Sequence, residues 1–255
     1  MNKVILVTGA TAGFGRAIAT KFAANGHDVI ITGRRKKLLD ELELSLKDAY
    51  GVDVLALHFD VRNLAEVELA IGSLTGKWRE IDVLVNNAGL AVGLNQIQEG
   101  VIDDWERMID TNVKGLLYMT RLVSPLMVQR KRGHIINIGS IAGKEVYPNG
   151  TVYCGSKFAV DAITKGTRID LVEHHIKVTQ VAPGAADTEF SLVRFKGDVE
   201  RAGDVYNGFT PLYAEDVAEV TYYVTTLPDH VNINDLVIMP TAQASATNLV
   251  RGEET

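Results

Sequence analysis

Short, unbroken apolar runs alternate with segments of helical periodicity along the whole chain, and this alternation limits the fold more than any other feature. The runs cover residues 4–7, 28–32, 54–58, 81–85, 134–138, 177–181 and 235–239. A run of this length without polar alternation is a strand covered on both faces. That is the habit of a parallel sheet, whose crossover helices shield both sides. Helical patterns fill the gaps. One carries Ile18, Ala19, Phe22 and Ala23 and stops at Asn25-Gly26; others span 36–50, 64–78, 104–130, 153–174 and 214–226. Pro125 should kink the fourth. The predicted architecture is therefore α/β: a mainly parallel, seven-stranded, doubly wound sheet with helices on both faces. Ligands of such sheets bind beyond the C-terminal ends of the strands.

With 255 residues and 46% hydrophobic content, the chain can bury a substantial core. It carries no repeat, low-complexity segment or Pro/Gly-rich linker, so one domain over 1–255 is expected. A net charge of −6 gives no global attraction to nucleic acid or an anionic membrane. No apolar stretch approaches the ~20 residues of a membrane span. The run at 4–7 is too short for a signal peptide and reads as a first strand. The single cysteine, Cys154, excludes an internal disulfide and fits a cytoplasmic protein; it reads as a small buried hydrophobe. His174 and His175 lack metal-ligand spacing. The tail Glu253-Glu254-Thr255 is expected to be disordered.

The first strand runs into Thr8-Gly9-Ala10-Thr11-Ala12-Gly13-Phe14-Gly15 and then a helix. Strand, glycine turn and helix form a phosphate cradle. Glycines let the backbone approach a pyrophosphate, and the helix N-terminus offers unpaired N–H groups and a favourable dipole. The second strand ends Thr32-Gly33-Arg34-Arg35. Dinucleotide-binding folds often place an acid there for the adenosine ribose. Here guanidinium groups stand instead, which bind a 2′-phosphate that a carboxylate would repel. The expected cofactor is NADP, although Arg34 and Arg35 also suit a plain helix start. Asp60, after the third strand, can touch the adenine or cap the next helix, and His58 reads as a strand-end residue. Asn86-Asn87-Ala88-Gly89 ends the fourth strand with small and amide groups suited to close approach.

The chemistry gathers beyond the fifth strand. Ser140 lies just past it, and thirteen residues later come Tyr153 and Lys157 at i and i+4, on one helix face. A phenol with an ordinary pKa of about 10 is a poor base at neutral pH, and a neighbouring ammonium lowers that value. A tyrosine so tuned can move a proton to or from an alcohol oxygen. Ser140 can donate a hydrogen bond to the same oxygen. Tyr-x-x-x-Lys alone is also an ordinary helix face. Asn112 is unfavourable by propensity in mid-helix.

Together, Thr8 to Gly15, Asn86 to Gly89, Asn112, Ser140, Tyr153-x-x-x-Lys157 and Pro183-Gly184 make the chain similar, over nearly its whole length, to the short-chain dehydrogenase/reductase family, whose domain is of Rossmann type. The resemblance implies that Tyr153 is the general acid/base and that Ser140 orients the substrate oxygen. Lys157 would lower the tyrosine pKa and hold the nicotinamide ribose, and Asn112 would hold a proton-relaying water. It implies cofactor contacts at Gly9, Thr11, Gly13, Phe14, Gly15, Arg34, Arg35, Asp60, Val61, Asn87, Ala88, Gly89, Tyr153, Lys157, Pro183, Gly184 and Thr188. It also implies a homotetramer paired through the long helices that carry Asn112 and Tyr153.

A narrower resemblance lies in Thr188-Glu-Phe-Ser-Leu-Val-Arg-Phe-Lys-Gly-Asp198 and Leu227-Pro-Asp-His-Val-Asn-Ile-Asn234. Both stretches resemble the NADP-dependent 3-hydroxy acid dehydrogenase group. It implies hydride transfer at the 3-position of a small 3-hydroxy acid such as serine, 3-hydroxypropionate or 3-hydroxyisobutyrate. A carboxylate substrate needs a cation, and Arg194 is the candidate, with Lys196 second. Periodicity fails from 189 to about 210, so 188–210 reads as a substrate lid. The last strand lacks the Asp-Gly-Gly ending of ketoacyl reductases, and Tyr213 replaces a usual Thr helix cap. The alternatives are a reductase of another ketone, sugar or ketoacyl substrate, and an NADP-binding regulatory protein without turnover.

Overall fold

Successive side chains of β1 (Val4–Val7) point to opposite faces of a sheet, and both faces are covered. On one face Ile5 and Val7 join Ile18, Ala19 and Phe22 of α1 (Gly13–Ala24) and Leu39, Leu42 and Leu46 of α2 (Lys36–Tyr50). On the other, Val4 and Leu6 meet Val67 and Ile71 of α3 (Leu64–Gly72). Beyond α4 (Ile102–Ile109), α5 (Leu116–Arg130) adds Met119, Val123 and Met127 to that layer. The computed structural model describes residues 2–252, so the expected disorder of Glu253-Glu254-Thr255 lies outside the described residues.

The other strands are β2 (Asp28–Gly33), β3 (Val54–His58), β4 (Ile81–Asn86), β5 (Gly133–Ile138), β6 (Ile176–Pro183) and β7 (Asp235–Ile238). Their spatial order is β3-β2-β1-β4-β5-β6-β7, and every pairing is parallel. The chain winds outward from β1 to β3, returns to β4 and winds outward the other way. The β1/β4 border is therefore the point where strand order reverses and a crevice opens. The remaining helices are α6 (Thr151–Leu171), α7 (Glu189–Arg194), α8 (Val199–Asp204) and α9 (Ala214–Tyr223).

Four helical spans differ from the pattern-based expectation. The span 104–130 is not one helix kinked at Pro125. It is α4, a π-helical turn at Asp110–Gly115, then α5, which runs through Pro125. Tertiary bonds made by Asn112 hold the break, as described below. The span 64–78 ends at Gly72, and a separate 3₁₀ turn, Gly76–Arg79, opens on Gly76 at φ +54°. The span 189–210 contains two short helices, α7 and α8. Ser191 and Ala202 are their only buried residues, too few for an apolar period. The last span stops at Tyr223, after which Thr225 and Thr226 bond back three residues in a tighter turn. Tyr213 precedes α9, and the Asp216 carboxylate accepts from its N–H at 2.8 Å, making the cap from inside the helix. Among the described residues no helix is long and apolar enough to cross a membrane.

Candidate active site

The glycine turn is folded tightly against the end of β4. Gly9 and Gly13 sit at φ +66° and +48°. A Cβ at Gly15 would stand 2.3 Å from the Gly9 carbonyl oxygen and 2.4 Å from Asn87 Nδ2. Asn87 Nδ2 donates to the Thr8 and Gly9 carbonyls at 2.8 and 3.3 Å, and Thr8 Oγ1 accepts from the Asn87 and Ala88 N–H groups at 2.9 Å. These bonds lace β1 to β4 across the switch point. α1 begins after Ala12 with no side-chain cap, so its first N–H groups face the crevice unclaimed by any side chain. The resulting cleft is about 460 Å³. Gly9, Thr11, Gly13, Phe14, Arg34, Arg35, Asp60, Val61, Asn87, Ala88, Gly89 and Thr188 line it, with Tyr153 and Lys157 at its inner end. A glycine-walled groove over an uncapped helix N-terminus fits a nucleotide diphosphate.

The two arginines differ in how they are held. Arg34 is 3.7 Å from Asp60, and His58 Nε2 bonds its carbonyl oxygen at 2.8 Å. Arg35 donates to Thr11 Oγ1 through Nε and Nη2 at 3.1 and 3.0 Å, and to the Glu189 carboxylate through Nη1 at 3.0 Å. Arg35 thus ties the glycine turn to the start of α7. Asn63, not Asp60, caps α3 by accepting from Glu66 N–H, which leaves Asp60 on the cleft wall, braced by Arg62. Gly15 lies one layer behind the wall. Pro183 ends β6 and Gly184 follows it, where a Cβ would meet Gln243 Oε1 at 2.5 Å and Met239 Sδ at 2.7 Å.

Asn112 is fully engaged inside the protein. Its Oδ1 accepts from Leu90 N–H at 2.8 Å, and its Nδ2 donates to the Leu90 carbonyl at 2.9 Å and to Ser156 Oγ at 3.0 Å. The π-helical turn turns this side chain toward the loop after β4, and such turns recur at functional sites. The hydroxyl of neighbouring Thr111 is buried on the cleft wall without a partner among the described residues.

Tyr153 and Lys157 are both buried, one turn apart on α6. The Lys157 ammonium donates to the Ile138 carbonyl at 2.9 Å, and burial pushes its pKa down to about 8. It lies 6.0 Å from the centre of the Tyr153 ring. Burial, then the Tyr147 phenol, push the Tyr153 pKa above its ordinary value, while Arg194 and then the Ser140 hydroxyl pull it back. In the free protein Tyr153 is therefore protonated, and the cation that opposes burial most strongly is Arg194, not Lys157. Ser140 starts a short turn by accepting from Ala142 N–H at 3.1 Å.

Arg194, at the end of α7, reaches this cluster. Its Cζ lies 5.4 Å from the ring centres of Tyr147 and Tyr153 and 5.8 Å from that of Phe190. It donates to the Tyr147 hydroxyl, and its Nε is buried with no partner among the described residues. Lys196 is not here: its ammonium is 2.8 Å from Asp104 on α4. Tyr147 and Phe190 escaped the sequence reading. Tyr147 had one visible signal, an aromatic ring in a loop just ahead of Pro148-Asn149-Gly150. A Cβ at Gly150 would overlap that ring at 2.1 Å, so the glycine makes its seat. Among the described residues no group of three or more His, Cys, Asp or Glu could hold a metal ion.

A buried phenol and ammonium, a nearby hydroxyl and a glycine-walled nucleotide groove can support proton transfer beside a dinucleotide. Comparison with known proteins agrees with that chemistry. Residues 3–197 match the family model described as short chain dehydrogenase. The NADP-dependent 3-hydroxy acid dehydrogenase YdfG of Escherichia coli K12 is 49% identical over 244 residues, covering 95% of this chain and 97% of that one. Sulfoacetaldehyde reductase 2 of Chromohalobacter salexigens is 46% identical over 245 residues, covering 96% of each. The closed form of a serine dehydrogenase complexed with NADP⁺ superposes with a TM-score of 0.91 at 48% identity, covering 98% of this chain and 100% of that one. With a match over most of its length and relatives near half identity, the chain belongs to the short chain dehydrogenase family.

Proposed function

We propose that the protein is an NADP-dependent dehydrogenase that transfers a hydride between the nicotinamide and the 3-position of a small 3-hydroxy acid or 3-oxo acid. The observation that carries the substrate class is Arg194, with its buried, unpartnered Nε beside the Tyr153 ring. In a 3-hydroxy acid the carboxyl group is two carbons from the carbinol. The cation that binds it must therefore stand within a few ångströms of the phenol that handles the proton. The names of the similar proteins support the same class, with serine, 3-hydroxypropionate and 3-hydroxyisobutyrate as candidate substrates. A guanidinium also takes a sulfonate. The likeness to a sulfoacetaldehyde reductase therefore supports a second reading, in which the acid is a sulfonate.

The residues divide the work. Gly9, Gly13 and the start of α1 hold the diphosphate, and Arg34 and Arg35 face the 2′-phosphate. Bound NADP supplies the hydride acceptor or donor. Tyr153 accepts the alcohol proton in oxidation and returns it in reduction. Ser140 donates to the substrate oxygen as charge develops there. Lys157, at a pKa of about 8, holds the ribose and adds positive charge near the phenol. Asn112 fixes the Leu90 backbone that lines the cleft. Residues 188–210 serve as the lid. Exposed Leu117 on α5 and Phe158 and Ile169 on α6 support a homotetramer paired through these helices.

The test is nicotinamide absorbance with NADP⁺ and NAD⁺ against L-serine, D-serine, 3-hydroxypropionate, 3-hydroxyisobutyrate, isethionate and a carboxylate-free secondary alcohol. Turnover of NADP⁺ on the carboxylic acids is expected. Tyr153→Phe should lose it by ~10²–10⁴-fold while remaining folded. Turnover on the neutral alcohol alone would sink the hydroxy-acid reading and keep the dehydrogenase. Turnover on isethionate alone would select the sulfonate.

A further inference from the structure

The acid anchor sits on a segment with a slight hydrophobic hold, the half-buried Phe190 packed against the Tyr153 cluster. In α7 only Ser191 is buried, and Leu192 and Val193 are 38% and 42% exposed. A segment with so few buried apolar contacts belongs to the low-stability end of a fold, so its polar ties decide where it rests. Besides the bond from Arg194 to the Tyr147 hydroxyl, four such ties reach α7 or the turn after it. Glu189 pairs with Arg35, but both side chains are about half exposed, at 54% and 46%. Ser191 Oγ and the Tyr206 hydroxyl are 2.6 Å apart, within the lid itself. The Gly93 N–H donates to the Arg194 carbonyl at 3.0 Å. Lys196 Nζ lies 2.8 Å from Asp104 Oδ2.

The last tie differs from the others because it is an ion pair with one partner buried. The Asp104 side chain is only 5% exposed, although it lies on a helix whose other acids face water. Its other cation, Arg107, is 3.9 Å away. A carboxylate removed from water needs a close positive partner, so Asp104 holds Lys196 more firmly than a surface acid would. The turn is shaped for the contact. Lys196 and Gly197 adopt φ +55° and +95°, and Gly197 N–H bonds the Leu192 carbonyl at 2.9 Å, closing the turn that follows α7. The Asp104 carboxylate also lies against Gly93, where a Cβ would come within 3.1 Å of Oδ2. The Gly93 backbone tie and the Asp104 ion pair therefore grip the same end of α7 side by side.

We propose that Asp104, acting through Lys196, is a positioning residue that seats the end of the lid so that Arg194 rests between Tyr147, Tyr153 and Phe190. This rests on the proposed role of Arg194 as the substrate's acid anchor. Neither Asp104 nor Lys196 touches the reacting groups; their contribution is where the anchor stands.

The test is steady-state kinetics of the full-length enzyme with NADP⁺, on the best carboxylate substrate and on a carboxylate-free secondary alcohol. Lys196→Met should raise KM for the acid by roughly tenfold, the scale of coupling between residues in one network. Measured at each variant's own pH optimum, so that a shifted Tyr153 pKa does not enter, it should change kcat little and leave the alcohol within about twofold, a split that general destabilisation does not produce. Lys196→Arg should restore the acid KM. Asp104→Asn should match Lys196→Met, and the double variant should be no worse than either single one. Because Lys196 is exposed, its variants report even where Asp104→Asn fails to fold. Unchanged acid KM in Lys196→Met, equal losses on acid and alcohol, or additive single effects would each overturn the latch. Arg194→Met separates the two ideas. If it raises the acid KM and Lys196→Met does not, only the latch falls. If Arg194→Met itself spares the acid, the anchor reading falls and the latch with it.

Discussion

Arg194→Met isolates the cation at the active centre with little change in packing. Arg194 lies among three aromatic rings, and a methionine keeps an apolar stem with a sulfur that aromatic edges accept. What is lost is the guanidinium: its bond to the Tyr147 hydroxyl and its unpartnered Nε. A hydrogen bond to a charged group is worth about 1.5–3 kcal/mol, so kcat/KM on a carboxylate substrate should fall roughly 10- to 150-fold. A neutral secondary alcohol gives up no such bond and should keep its KM. The variant should also show a second effect, of known sign. Arg194 lowers the Tyr153 pKa against burial, so its removal lets that pKa rise further. For alcohol oxidation, which needs the phenolate, the ascending acid limb of the pH–rate profile should move to higher pH on both substrates. The assay is NADP⁺ reduction from pH 6 to 10 on matched acid and alcohol substrates. An equal loss on both, with no displacement of the profile, would refute the reasoning and leave Arg194 as a packing residue.

Two further predictions concern stability and the cofactor groove. Gly15→Ala would press a methyl group to 2.3 Å from the Gly9 carbonyl, and overpacking of this kind costs about 1–3 kcal/mol. A lower melting temperature together with weaker NADP⁺ binding by titration is expected, and unchanged binding would show that the turn is not the diphosphate cradle. Burial holds the His134 imidazole neutral, its pKa pushed down to about 3 from 6.5. Between those values the unfolded chain takes up a proton that the folded protein refuses. Its contribution is therefore complete above pH 6.5 and is lost as pH falls toward 3, by up to about 2 kcal/mol between pH 6.5 and 5. In urea melts at pH 7 and 5, His134→Gln, whose amide can still reach Thr179 Oγ1, should lose less stability on acidification than the natural protein. Parallel losses would count against the linkage.

The legible parts of the sequence were those set by local chemistry. Val4 to Val7 read as a strand because nothing polar interrupts it. The glycine turn read as a cradle because Gly9 and Gly13 hold φ values that other residues avoid. Tyr153 and Lys157 read as one face because helix geometry alone puts them there. What escaped depended on partners distant in the chain. Nothing near Asn112 announces a π-helical turn, since the bonds that hold it run to Leu90 and Ser156. α7 and α8 left no period because they bury almost nothing. Asp104 stood out in the sequence only as the start of a helical span, and only the folded chain buries it against Lys196. Arg34 and Arg35 read alike, yet Arg35 alone bridges the glycine turn and the lid.

The position of Arg194 also joins two demands that are usually met by separate groups. A tyrosine buried as deeply as Tyr153 is a worse base than one in water, because desolvation disfavours the phenolate. Lys157 stands 6.0 Å from the ring centre with its ammonium bonded to the Ile138 carbonyl. The strongest opposing field comes from Arg194, which belongs to the lid and not to the sheet or α6. In the proposed reaction the same guanidinium binds the acid group and sets the proton affinity of the phenol. A displaced lid then costs twice: the substrate loses its anchor and Tyr153 loses the cation that offsets its burial. An enzyme built this way favours substrates whose acid group holds the lid in place, and selectivity for acids appears in the pH profile as well as in KM.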